Sequence, residues 1–148
     1  VIPALGIDVP VRPVGLTALE EDGQNYFQWQ VPAGYEVGWH NTSAPLGQVG
    51  NTVLNGHNNI HGEVFRYLID LEIGSEIILH DDGRSYHYAV SQVELVPEND
   101  QPLSVRLENA RLIENTQDER VTLISCWPYL TNAQRIVVIA RPLEQNSF

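Results

Sequence analysis

Apolar residues along this chain recur mostly at every second position, in short runs separated by clusters of Gly, Pro, Asn and Asp. That period sets alternate side chains on opposite faces of an extended backbone and predicts strands rather than helices. The clearest predicted strands are Thr52 to Asn55, Glu76 to His80, Ser85 to Val96, Val121 to Cys126 and Arg135 to Ala140. Between the second and third of these, Asp81-Asp82-Gly83-Arg84 predicts a hairpin turn, because Gly83 supplies the positive φ such turns need. Along Ser85 to Val96 the apolar set changes parity, from Tyr86, Tyr88 and Val90 to Val93 and Leu95. A bulge or bend near Ser91-Gln92 would keep both halves facing one core. Helical pattern is thin: a turn or two over Glu63 to Leu71, and another over Gln101 to Glu108 behind Pro102. Short strands without alternating helices point to an all-β closed barrel or sandwich. The stretch from Gly34 to Gly50 reads as an irregular surface connection, and the whole of 1–148 reads as one domain without repeats.

Composition narrows the partners. A chain of 148 residues can bury roughly 70% of the surface it exposes when unfolded, so one core suffices. The net charge of -11, with only 8 Lys+Arg, excludes nucleic acid and a polybasic grip on anionic lipid. A single cysteine, Cys126, rules out an intrachain disulfide, so an exported form would rest on packing alone. No run nears the ~18 apolar residues of a membrane span. The chain starts at Val1 and contains no Met, so it is expected to be a processed form from which an N-terminal anchor has been removed.

Three polar residues stand at predicted strand ends: His57 after Thr52-Val53-Leu54-Asn55-Gly56, Cys126, and Arg135 opening Arg135-Ile136-Val137-Val138-Ile139. The last two strands are consecutive and joined by eight residues, from 127 to 134. Antiparallel pairing would therefore bring Cys126 and Arg135 to the same sheet end. Two readings of Cys126 stand open, a small buried hydrophobe and a nucleophile. As a nucleophile it would need a base or imidazolium to favour the thiolate, which His57 could supply, and Arg135 could hydrogen-bond an oxyanion. His61 lies four residues after His57, but Asn58 and Asn59 suggest a loop and no third ligand is apparent, so no metal is expected. His40, His80 and His87 read as ordinary surface or strand residues, Tyr86 and Tyr88 as packing, and Glu98, Asn99 and Asp100 as a solvated loop.

Thr122-Leu123-Ile124-Ser125-Cys126 resembles the TLxTC motif of sortases, the cysteine transpeptidases of bacterial cell surfaces. Arg135, nine positions on, resembles their arginine, and Asn55-Gly56-His57 followed by Gly62, Phe65 and Leu68 resembles their histidine segment. The opening Ile2 to Val11 is similar to their early strand. The resemblance implies a closed eight-stranded sortase-type β-barrel with one or two short helices. It implies Cys126 as nucleophile, His57 as general acid and base, and Arg135 as the stabiliser of substrate and oxyanion. It further implies surface proteins with a C-terminal LPXTG-like sorting signal as substrate, and a peptidoglycan precursor or pilin lysine as amine acceptor. Ile124 and Val137 match groove positions of the family, and Leu103 and Val105 match the loop helix that recognises the motif. Ser125 keeps the hydroxyl of the usual threonine. The short connection after Cys126-Trp127-Pro128-Tyr129 is most similar to class D and E housekeeping sortases. Gly38 to Asn51 lacks the acids with which some class A members bind calcium, so no cofactor is expected. A hydrolytic cysteine peptidase on the same barrel is one alternative, and a non-catalytic peptide-binding or adhesion module is another. An L,D-transpeptidase-like enzyme would show a Ser-His-Gly-Cys arrangement that this chain lacks.

Overall fold

The chain's alternating pattern is realised in a computed structural model as nine described strands. They are β1 (Val11–Val14), β2 (Leu16–Glu21), β3 (Gln24–Trp29), β4 (Val37–His40), β5 (Gly50–Asn55), β6 (Glu76–Asp81), β7 (Arg84–Pro97), β8 (Glu119–Trp127) and β9 (Gln134–Pro142). One helix, α1 (Leu103–Ala110), precedes β8. The structure describes residues 1–21, 23–57, 63–97, 101–127 and 134–143, apart from the side chains of 19, 21, 24–28, 103, 126 and 127. Asn58, Asn59, His61 and Gly62, the stretch from Glu98 to Asp100, and Pro128-Tyr129 lie outside the described residues.

Seven strands form one curled sheet, a half-barrel, in the order β1-β4-β5-β8-β9-β7-β6, and β2 pairs with β3 as a separate hairpin. The fold is therefore all-β, as the alternation predicts. In place of eight strands closed into a ring, the described residues give seven, with β1 and β6 at the edges. The first residues reach across that seam. Val1 donates its N–H to the Ile78 carbonyl at 2.7 Å and accepts from the Ile78 N–H at 2.9 Å, so it lies along β6. The chain then runs on to β1, which pairs in parallel with β4 at the other edge.

The Ile2 to Val11 segment is not the continuous strand that the resemblance implies. Pro3 opens a 3₁₀ turn over Pro3–Leu5, Gly6 ends it with φ +66°, and Ile2 bridges back to Ile7. A proline without an N–H followed by a left-handed glycine turns the chain on itself. The second correction concerns Gly34 to Gly50, which contains the strand β4 with Val37, Gly38 and His40 buried. Gly38 is required there: a Cβ would stand 2.4 Å from Asn55 Oδ1 and 2.9 Å from Pro32 Cδ.

Both halves of β7 reach one core through Tyr88, Val90 and Val93, whereas Leu95, expected to join them, is 43% exposed near the strand's end. The β7–β9 register shifts between Val90 and Gln92, so Tyr88 and Val90 before the bulge, and Val93 after it, all pack on the same cluster. The turn into β7 has positive φ at both central residues, Asp82 and Gly83, the geometry of a two-residue hairpin. The inner face of the sheet is dry, with Leu54, Phe65, Leu68, Ile77, Tyr88, Leu123, Ile136 and Val138 in one buried cluster. The expected turns appear as a 3₁₀ turn at Leu68–Asp70 and as α1, entered from Pro102.

Candidate active site

Three neighbouring strands of the sheet end at the same place. β8 pairs antiparallel with β9, and the register sets Cys126 directly opposite Arg135. Directly opposed residues of an antiparallel pair point to the same side, so the two share a face. On the other flank β5 runs parallel to β8, with Asn55 level with Ile124. The Gly56 N–H continues that ladder to the Ile124 carbonyl at 3.3 Å. Cys126 and Arg135 thus occupy one register position of β8 and β9, as the connectivity of the last two strands predicts, and His57 follows two residues after the end of β5.

These strand ends are held by neighbours whose part the sequence conceals. Ser125 Oγ, 4% exposed, donates to the Gly56 carbonyl at 2.7 Å and ties the end of β8 to the residue before His57. The His57 carbonyl accepts from the Phe65 N–H at 2.9 Å, which ties His57 to a residue of the buried core. Gly56 has no room for a side chain, since a Cβ would approach Val64 Cγ1 to 2.6 Å and Phe65 Cδ2 to 2.8 Å. His57 and Arg135 are half-buried, and each is engaged by a further interaction.

Along the face shared with Cys126, the next row back is Asn55, Ile124 and Val137. Ile124 is half-buried and presents surface, whereas Val137 is 1% exposed. Val105 is half-buried on α1, and Leu103 opens that helix with its side chain outside the description. The segment of 101–118 that carries α1 begins near the end of the sheet that holds Cys126 and Arg135, where Asn109 Nδ2 donates to the Pro97 carbonyl and Pro97 pairs with Gln134. It ends at the far end of β5, where the Gly50 N–H donates to the Asp118 carbonyl at 3.0 Å. Segment 101–118 is therefore anchored toward both ends of the sheet, with α1 packed beside β7.

His40 differs from its reading as an ordinary surface or strand residue. It is 3% exposed, stacked on Trp29 with ring centroids 4.1 Å apart, and its Nε2 lies 3.0 Å from Asn55 Nδ2. Asn55 Nδ2 also donates to the Gln30 carbonyl at 2.9 Å, which fixes it as the donor and His40 Nε2 as the acceptor. Burial pulls the imidazole down from 6.5 to about 4, so it stays neutral. His80 pairs with Ser85 Oγ at 2.9 Å, and His87 lies 3.7 Å from Glu76. A polar cavity of about 240 Å³ opens between Trp29, His40, Asn51 and the Ile113–Asn115 stretch. Among the described residues no group of three His, Cys, Asp or Glu is arranged to hold a metal ion.

The chain is similar to known proteins in sequence and in fold. The chain is 29% identical to the sortase SrtE1 of Streptomyces coelicolor over 106 residues, which is 70% of this chain and 30% of that protein. It is 32% identical to sortase A of Bacillus anthracis over 91 residues, 60% of this chain and 39% of that one. The chain's match thus spans 30 to 39% of the length of these relatives. Sortase C1 of Streptococcus agalactiae has the same fold, with a TM-score of 0.71 at 20% identity over 97% of this chain and 65% of its own. Sortase A of Corynebacterium diphtheriae superposes with a TM-score of 0.61 at 26% identity, over 73% of this chain and 48% of its own. Since the family model described as the sortase domain matches from residue 1 through residue 143, the chain belongs to the sortase family.

Proposed function

We propose that this domain is a cysteine transpeptidase that cleaves an LPXTG-like sorting signal after its threonine and passes the acyl group to an amine. The observation that carries this reading is Cys126 opposite Arg135 at the end of β8 and β9, with His57 two residues beyond the end of the neighbouring strand β5. The Cys126 thiolate attacks the threonine carbonyl carbon, forming a C–S bond and placing negative charge on the oxygen. Arg135, always protonated, donates hydrogen bonds to that oxyanion. When the intermediate collapses, the C–N bond breaks and the His57 imidazolium gives its proton to the leaving glycine amine. The thioester left on Cys126 is then attacked by the acceptor amine, whose proton returns to His57 as the thiolate departs. Ile124 and Val137 beneath, with Leu103 and Val105 of α1 alongside, line the path of the motif in this reading.

The similarity to SrtE1 supports placement near the class D and E housekeeping enzymes, as does the short 127–134 connection. Work at the cell surface follows from the same reading, with an N-terminal membrane segment as anchor. No helix among the described residues is long and apolar enough to cross a membrane. The acceptor would be a peptidoglycan precursor or a pilin lysine.

The decisive comparison is wild type against Cys126→Ala on a fluorogenic LPXTG peptide. Cleavage is expected to fall by a factor of about 10³ or more, with a hydroxylamine-labile adduct on the wild type alone. Equal cleavage by the variant would remove Cys126 as nucleophile. Adding an amine separates transfer from hydrolysis: the amide product should rise with amine concentration, and a constant hydrolysis product alone would favour the peptidase alternative.

A further inference from the structure

At the far end of β5 from His57 stands a buried asparagine whose side chain is fully committed. Asn51 is 1% exposed. Its Oδ1 accepts from Thr122 Oγ1 at 2.6 Å, and its Nδ2 donates to the Leu112 and Glu114 carbonyls, each at 3.0 Å. Its backbone N–H reaches Asn115 Oδ1 at 3.4 Å. Thr122, which aims Asn51, is fully buried on β8 and shares the face of Ile124 and Cys126. Three of the four contacts go to one short stretch, the end of the 101–118 segment that carries α1.

The segment's last residue, Asp118, pairs with Arg120 and Arg141, which leaves the helix itself to be placed from its flanks. Its helix is eight residues long, too short to be stable in isolation. Pro102, at the cap position, makes no side-chain capping bond, and Leu107 stays 59% exposed. Asn109 fixes the segment to Pro97 near the Cys126 end of the sheet, and Asn51 fixes it at the other. A neutral amide suits this task. It supplies two donors to two backbone carbonyls and one acceptor to a hydroxyl, and it buries no charge.

We propose that Asn51 is a positioning residue for substrate recognition: it presets the 101–118 segment as a wall over the face of β5 and β8, so that a sorting peptide meets a formed groove. The inference rests on the reading of that face as the substrate groove. Loss of the clamp leaves the wall to be ordered by the substrate itself, and that ordering cost weakens binding rather than the chemical step.

The test uses Asn51→Ser, with Thr122→Val as a milder second variant and Thr122→Ser as the conservative rescue. In Asn51→Ser, KM for an LPXTG peptide should rise about tenfold with kcat within about twofold. Alkylation of Cys126 by iodoacetamide should be unchanged, and amide hydrogen exchange over 103–116 should accelerate. Thr122→Val should shift KM and exchange in the same direction, and Thr122→Ser should restore both. Unchanged KM, or a fall in kcat together with slower Cys126 alkylation and a lowered Tm, would overturn the proposal and leave Asn51 a plain stabiliser. If wild type cleaves no sorting peptide, the parent reading fails by itself. Exchange over 103–116 then decides the clamp: acceleration in Asn51→Ser keeps it, and no change removes it.

Discussion

An imidazole that is 3% exposed, pressed against Trp29 and accepting a hydrogen bond at Nε2, gains nothing from a second proton. Protonation would convert that acceptor into a donor facing the Asn55 amide, and would bury a charge. Above pH 6.5 His40 is neutral whether the chain is folded or not, so its contribution is complete there. Between 6.5 and about 4 the unfolded chain takes up a proton that the folded chain refuses, and stability falls as pH falls through that window. The loss at this residue is on the order of 3 kcal/mol once pH is below about 4. Urea melts of wild type and His40→Gln at pH 7.5, 5.5 and 4.5 measure it. Wild type should lose more stability than the variant with each step down, and parallel losses would remove His40 as the cause. Its environment was illegible in the sequence because Trp29 and Asn55, which build it, belong to strands remote in the chain. Cys126 and Arg135 were legible as partners for the opposite reason: eight residues between two strands leave one simple way to pair them.

The 14-residue strand β7 shows how one inserted residue lets a strand serve two neighbours. Before Ser91 it pairs with β6 and buries Tyr88 and Val90; after it, pairing with β9 continues and Val93 turns to the same core. Ser91 Oγ donates to the Ile139 carbonyl at 3.0 Å, which steadies the bulge. Deleting Ser91 would send either Tyr86, Tyr88 and Val90 or Val93 to the wrong face. The loss should be more than about 4 kcal/mol, much of a domain's total stability. Ser91→Ala gives up one hydrogen bond, about 1 kcal/mol. Denaturation midpoints of the two variants separate register from hydrogen bonding, and a deletion no worse than the alanine variant would mean the bulge is dispensable. This element could be read from sequence because Tyr, Val and Leu mark the parity on both sides of it. β4 could not, since Val37-Gly38-Trp39-His40 offers no apolar alternation, and its burial depends on Pro32, Asn55 and the β2–β3 hairpin arriving from elsewhere.

At the scale of the whole molecule, the composition bears on the proposed chemistry in a way no single strand does. All eight Lys+Arg residues are arginines, so the domain carries no side-chain amine. A thioester on Cys126 is an electrophile awaiting an amine, and a lysine within reach would compete with the true acceptor at high effective concentration. A guanidinium stays protonated and does not attack. The domain is thus unable to trap its own acyl group as an amide on a side-chain amine. Incubated with sorting peptide and no acceptor, wild type should show by intact mass only an adduct that hydroxylamine removes. Leu107→Lys, on the exposed face of α1, introduces a single amine on the groove wall. That variant should accumulate a hydroxylamine-stable adduct mapping to residue 107 in proportion to how often the wall meets the thioester. A stable adduct on an internal residue of wild type would show that another side chain intercepts the acyl group, and the absence of lysine would then have no protective role.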